Sequence, residues 1–137
     1  MRALIDTNVI LDVLLNRQEF FPASLDVWVA SERGLFEGFV SAITPLNVYY
    51  IARSSNRDKK AARGLVSTIL NAFQVCAVGP EDLRAAIPSN VDDYEDAVQV
   101  VSALNVKVDV IITRDLKDFA NSPIPVMTPA EFVQQLV

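Results

Sequence analysis

Short apolar runs give way to helical spacing again and again along this chain, and that alternation constrains the fold more than any other feature. The first run, Ala3-Leu4-Ile5, passes straight into Asp6 and then into a helical stretch over about residues 8–16, where Val9, Ile10, Val13 and Leu14 share one face. Further strand-like runs are Glu37–Ser41, about Gln74–Val78, Val108–Thr113 and Ile124–Met127, the last expected at a sheet edge because it holds Pro125. Helical patterns fill about Pro22–Arg33, Thr44–Arg53 (with Thr44 as the cap), Lys59–Ala72, a short piece from Gly79 to near Pro88, and Asp93–Asn105. A final helix is expected after the capping box Thr128-Pro129-Ala130-Glu131. No linker or repeat interrupts the series. It predicts one α/β domain over residues 1–137, three layers deep, with a mainly parallel sheet of about five strands flanked by helices.

Composition narrows the chemistry. The 137 residues are 51% hydrophobic, which supports a sizeable core and opposes disorder. No apolar run approaches the ~20 residues of a membrane span and no signal-peptide pattern opens the chain, so a cytoplasmic protein without membrane contact is expected. One cysteine, Cys76, excludes an internal disulfide framework and a multi-cysteine zinc site, and its strand-like surroundings make it a core residue. Histidine is absent, which removes Ser-His and Cys-His nucleophiles, imidazole acid–base catalysis and imidazole-bound zinc together. Carboxylates, lysine, tyrosine or bound ions are left to carry any catalysis. A net charge of −5 opposes nonspecific nucleic-acid binding through the overall field and leaves only local basic patches for it.

Three aspartates stand out from that background. Asp6 falls at a strand end, where parallel sheets bind ligands, although Asp6 or Thr7 would serve equally as a helix cap. Asp115 follows the most apolar strand by two residues past Thr113, with a turn or cap role as its alternative. In Asp92-Asp93-Tyr94-Glu95-Asp96 the helix dipole accounts for some of the acid. Asp96, however, shares a stripe with Val100 and Ala103 and is expected to point inward, whereas Glu95 aligns with Gln99 and Ser102 on what reads as a solvated face. Converging carboxylates need compensation by basic side chains or a hard cation. An all-oxygen set suits Mg²⁺ or Mn²⁺, ions that activate water and stabilise charge in phosphodiester hydrolysis.

Leu4-Ile5-Asp6-Thr7-Asn8-Val9, Ser41-Ala42-Ile43-Thr44, Asp93-Tyr94-Glu95-Asp96-Ala97 and Thr113-Arg114-Asp115-Leu116-Lys117-Asp118-Phe119, in that order, resemble the PIN domain over nearly the whole chain. The resemblance implies a Mg²⁺- or Mn²⁺-dependent ribonuclease, frequently the VapC-type toxin of a toxin–antitoxin pair, with RNA as substrate, a homodimer and a small antitoxin as partner. It carries over Asp6, Asp96 and Asp115 as catalytic metal ligands and Asn8 and Thr113 as supporting residues; Asp93 is a further supporting candidate, and Asp118 reads either as a helix or turn acid after Lys117 or as a supporting acid beside Asp115. One position departs from the pattern. Asn47 stands where the family usually has a glutamate; with Ile43, Tyr50 and Ile51 as stripe partners it points inward but brings no charge, and weaker metal binding than in four-acid relatives is expected.

Arg53, Arg57, Lys59, Lys60 and Arg63 form a basic stretch after Tyr49 and Tyr50, suited either to guiding an RNA backbone or to lying in a solvated turn. Arg114 and Lys117 flank Asp115, where each would meet a phosphate or pair a site carboxylate. The Leu25, Trp28 and Val29 stripe fits an antitoxin groove or plain core packing. Two other readings compete: phosphoryl transfer through an aspartyl phosphate, which lacks a second acid two residues after Asp6, and a catalytically weak PIN-like module that binds RNA or protein.

Overall fold

The computed structural model describes residues 1–136. Its elements are β1 (Arg2–Ile5), α1 (Thr7–Leu14), α2 (Phe21–Glu32), β2 (Glu37–Ser41), α3 (Ile43–Ser54) and α4 (Lys59–Ala72), then β3 (Gln74–Cys76), α5 (Pro80–Ala86), α6 (Tyr94–Asn105), β4 (Val110–Ile112), β5 (Val126–Met127) and α7 (Pro129–Leu136). The five strands pair in parallel in the order β3-β2-β1-β4-β5, so the expected α/β architecture is observed, with β5 and its proline-led entry at an edge.

Alternation along the strands divides the core in two. Ala3, Ile5, Val40, Val110 and Ile112 pack with Val9, Ile10, Val27, Trp28 and Phe132 on one side. Leu4, Phe39, Cys76 and Ile111 pack with Ala97, Val98, Val100, Ala103 and Phe119 on the other. Both sheet faces are therefore covered by helices, which is why β1 and β4 read as unbroken apolar runs. The chain winds outward from β1 to β3 and then crosses back to place β4 on the other side of β1. That reversal opens a crevice beyond the C-terminal ends of β1 and β4, where open α/β sheets bind ligands.

Several sequence expectations need adjustment. The third, fourth and fifth strands are shorter than their apolar runs, because ladder pairing stops where the parallel neighbour stops, as with β5 against Ile111 and Ile112. Thr44 is not a cap: α3 starts one residue earlier, with Ala42 before it, and the buried Thr44 hydroxyl lies 2.8 Å from the Thr7 hydroxyl, joining α3 to α1. Trp28 is 7% exposed and stacks edge-on against Phe73, with centroids 4.7 Å apart. Trp28, at the centre of the Leu25, Trp28 and Val29 stripe, is thus core, while Leu25 and Val29 are half-buried. Cys76 is buried as expected. The capping box forms as read, with Glu131 N–H donating to Thr128 Oγ1 at 3.2 Å and Thr128 N–H to Glu131 Oε1 at 2.9 Å. Among the described residues, no helix is long and apolar enough to cross a membrane.

Candidate active site

The crevice is closed at its base by Asp6, whose N–H donates to the Ile112 carbonyl at 2.9 Å and so ties the end of β1 to the end of β4. By backbone geometry Asp6 is the residue before α1, yet its carboxylate makes no capping bond to that helix. Instead Oδ1 accepts from Gln99 Nε2 at 3.0 Å and Oδ2 from Thr113 Oγ1 at 2.8 Å, in a setting where Asp6 is only 3% exposed. The Thr113 hydroxyl also accepts from the Asp115 N–H at 3.0 Å. One side chain at the end of β4 thereby orients Asp6 directly and Asp115 through its backbone.

The remaining acids arrive from α6 and the loop after β4. Asp93 caps α6, its Oδ1 accepting from the Asp96 N–H at 3.0 Å, which fixes where Asp96 emerges. Asp96 is half-buried, and its Oδ1 accepts from the same Gln99 amide at 3.4 Å. The Glu95, Gln99 and Ser102 stripe is not a solvated face: Gln99 is 2% exposed and Ser102 fully buried. Helix α6 lies against the sheet and also along the crevice, so two adjacent stripes are covered where a surface helix would cover one. Only Glu95, at the first turn, reaches open space, and there it accepts a hydrogen bond from Asn47 Nδ2 at 3.1 Å.

Asp115 Oδ2 accepts from Asn8 Nδ2 at 3.4 Å, and Asn8 Oδ1 accepts from Arg17 Nη1 at 3.4 Å. Arg114 is already engaged. Its Nε lies 3.0 Å from Asp12 Oδ2, its Nη1 3.7 Å from Asp115 Oδ1, and its guanidinium 3.9 Å above the Phe20 ring. Asp12 is fully buried and also takes Arg17 at 3.5 Å and the Ser24 hydroxyl at 3.4 Å. The sequence reading missed Asp12, Arg17 and Gln99. The available signal for Asp12 was a lone acid on the apolar first helix, one turn after Asn8; nothing local singled out Gln99.

Asp6, Asp96, Asn8 and Asn47 line one cleft of about 260 Å³ with Thr7, Leu11, Tyr50, Ile51 and Glu95. Asp115 stands beside it through Asn8. Arg53, Lys59, Lys60, Lys117 and Asp118 are exposed and do not line it.

Burial pushes the Asp6 carboxyl above the usual aspartate range, and the Asp115 charge adds to the rise against the pull of the Gln99 and Thr113 bonds. Asp96 is raised to about 7, by burial first and then by the charges of Asp6, Asp93 and Asp118. The folded state therefore holds a proton on Asp96 that the unfolded chain releases near 3.8, so stability declines as pH climbs from about 4 to about 7 and stays reduced above that. In metal-free buffer the protein should melt higher at pH 6 than at pH 8, and Asp96→Asn should flatten the difference. A melting temperature equal at both pH values in the parent protein would contradict this assignment.

Among the described residues, no three carboxylates converge into a preformed metal cage. The donor set still fits a hard cation. All its atoms are oxygens, neither Asp6 nor Asp96 has an ion-pair partner among the described residues, and the buried Gln99 Oε1 has no hydrogen-bond partner. Uncompensated buried acid is costly for a fold to keep, and a cation bound between Asp6 and Asp96 would relieve that cost.

Fold and site together define a three-layer, parallel α/β domain with an acidic cleft at its topological switch point. The PIN domain family model matches residues 2–117, and the chain belongs to that family. Solved structures share the fold. FitAB bound to an IR36 DNA fragment aligns with a TM-score of 0.71 at 19% identity, covering 93% of this chain and 94% of that one. VapBC-1 from nontypeable Haemophilus influenzae gives 0.68 at 15% identity over 95% and 99%. VapBC2 from Rickettsia felis, bound to a DNA fragment from its promoter, gives 0.65 at 13% identity over 93% and 98%. No sequence among curated proteins matches this chain.

Proposed function

We propose that residues 1–137 act as one metal-dependent endoribonuclease domain, the toxin of a toxin–antitoxin pair, with Mg²⁺ or Mn²⁺ held by Asp6, Asp96 and Asp115. The observation that supports it most is the meeting at the β1/β4 crevice of acids that have no compensating cation at Asp6 or Asp96, at a cost in stability that a purely structural cluster would not repay. A bound divalent ion supplies an activated water and charge stabilisation at the scissile phosphate. The chain's own residues keep the ligands in place: Thr113 and Gln99 lock the Asp6 rotamer, Asn8 steadies Asp115, and Asp93 sets the start of α6. Arg114, braced by Asp12 and Phe20, presents positive charge beside Asp115 where a phosphate would lie. Exposed Arg53, Lys59, Lys60 and Lys117 extend that charge for a longer RNA. A homodimer, an antitoxin partner and a cytoplasmic setting complete the reading, and a solved toxin–antitoxin complex from Klebsiella pneumoniae that shares this fold supports the partner.

Incubation with labelled RNA tests it: cleavage should require added Mn²⁺ or Mg²⁺ and stop in EDTA. Cleavage that survives EDTA would remove the metal mechanism. The presence of Asn47 favours one second reading, a PIN module that holds RNA or a protein without cutting, for which Mn²⁺-dependent binding without cleavage is the expected result.

A further inference from the structure

We propose that Glu95 supplies the fourth carboxylate of the site, beside Asp6, Asp96 and Asp115, delivered from α6 in place of the acid absent at position 47 on α3, and that Asn47 is the bracket that holds it. This inference rests on the metal-site reading above and deepens it. Asn47 and Glu95 both line the cleft that contains Asp6 and Asp96, and they are joined there by the 3.1 Å bond from Asn47 Nδ2 to Glu95 Oε2. Since the two side chains touch, moving the acid from one to the other leaves a carboxylate at almost the same place in the cleft. The amide at 47 is then the appropriate partner and not a defect. Two carboxylates at that separation would repel, whereas an Asn donates a hydrogen bond and leaves the second Glu95 oxygen free to accept from a ligand.

An independent observation points to a ligand at this wall of the fold. Gln99, one turn along α6 from Glu95, is 2% exposed and spends its Nε2 on Asp6 Oδ1 and Asp96 Oδ1, while its Oε1 finds no partner. A buried amide that satisfies two acids at once fixes both on the wall that Glu95 extends, as residues behind a metal's ligands do. Glu95 itself is exposed at the first turn of α6, and among the described residues its side chain has no hydrogen bond or ion pair beyond the one from Asn47, which leaves it available for ligation.

The test is Mn²⁺ binding to the purified full chain, read by titration calorimetry and by the electron paramagnetic resonance signal of free Mn²⁺. Four proteins are compared: the parent, Asp6→Asn, Glu95→Gln, and the exchange Asn47→Glu with Glu95→Gln. Glu95→Gln should bind Mn²⁺ about tenfold more weakly, and the exchange should restore most of that loss. Metal-free melting temperatures of the parent and Glu95→Gln should agree, since Glu95 is exposed. Rescue by the exchange distinguishes ligation from a structural role, which a new acid at 47 would not repair. If Asp6→Asn loses Mn²⁺ while Glu95→Gln keeps parent affinity, the Glu95 inference falls and the metal-site reading stands. If the parent binds no Mn²⁺, or Asp6→Asn leaves binding unchanged, both fall.

Discussion

Asp6→Asn is expected to lower RNA cleavage by at least about a hundredfold while raising the melting temperature of the metal-free protein by about 3–6 °C at pH 8. The two effects have one cause. Asp6 is almost fully buried, has no ion-pair partner among the described residues, and is held above the usual aspartate range chiefly by that burial. An amide of the same shape removes the charge and keeps both contacts. Its oxygen keeps the bond from Gln99 Nε2 and its N–H₂ donates to the Thr113 hydroxyl oxygen, so the Gln99 bond to Asp96 is undisturbed. On the proposed reading folding gains what cleavage loses, because the same negative charge that burial penalises is what a divalent ion would need. Thermal melting in EDTA beside RNA cleavage in Mn²⁺ provides the check. A variant that is both inactive and destabilised would make Asp6 a structural residue.

Asp12→Ala carries the second large effect, a loss of about 2–3 kcal/mol and about 6–10 °C in melting temperature. The Asp12 side chain is fully buried between Arg114 at 3.0 Å and Arg17 at 3.5 Å, with the Ser24 hydroxyl at 3.4 Å. Removing it leaves two guanidinium groups and a buried hydroxyl without their common acceptor. The arginines retain 23% and 33% side-chain exposure, so water recovers part of the cost and the estimate sits below the full penalty for a broken buried pair. Urea unfolding should show a lower midpoint at unchanged slope. A midpoint within error of the parent would mean that Asp12 is dispensable. The loss should also reach the cleft, since among the described residues Arg114 then has only Asp115 and the Phe20 ring to hold it, and the Arg17 side chain only Asn8.

The acids were legible in the sequence for different reasons. Asp6 and Asp115 declare themselves because a parallel strand buried on both faces is an unbroken apolar run, and the first carboxylates after Ile5 and Ile112 must stand at the strand's C-terminal rim. Asp96 was found through its stripe with Val100 and Ala103, but the same helical wheel placed Gln99 and Ser102 in solvent. A wheel assumes one covered side, whereas α6 is enclosed by the sheet and the crevice together. The sequence turns Asn47 inward but does not reveal its partner: Glu95 is 48 positions away, and nothing local to either residue links them.

By itself, then, the sequence determined the α/β alternation, the capping box of α7 and the placement of Asp6, Asp96 and Asp115 at strand ends and a helix start, all of which follow from periodicity and residue type within short windows. Only the tertiary structure decided which side chains meet. The Thr113 and Gln99 grip on Asp6, the Asp12 bridge to Arg17 and Arg114, the Thr7–Thr44 contact and the Asn47–Glu95 pair all join residues from different elements, most of them far apart in sequence. Their partners are chosen by the crossover from β3 to β4, which brings α6 and the end of β4 against the start of α1. A local pattern fixes which way a side chain points, but the long-range packing of the sheet fixes what it points at.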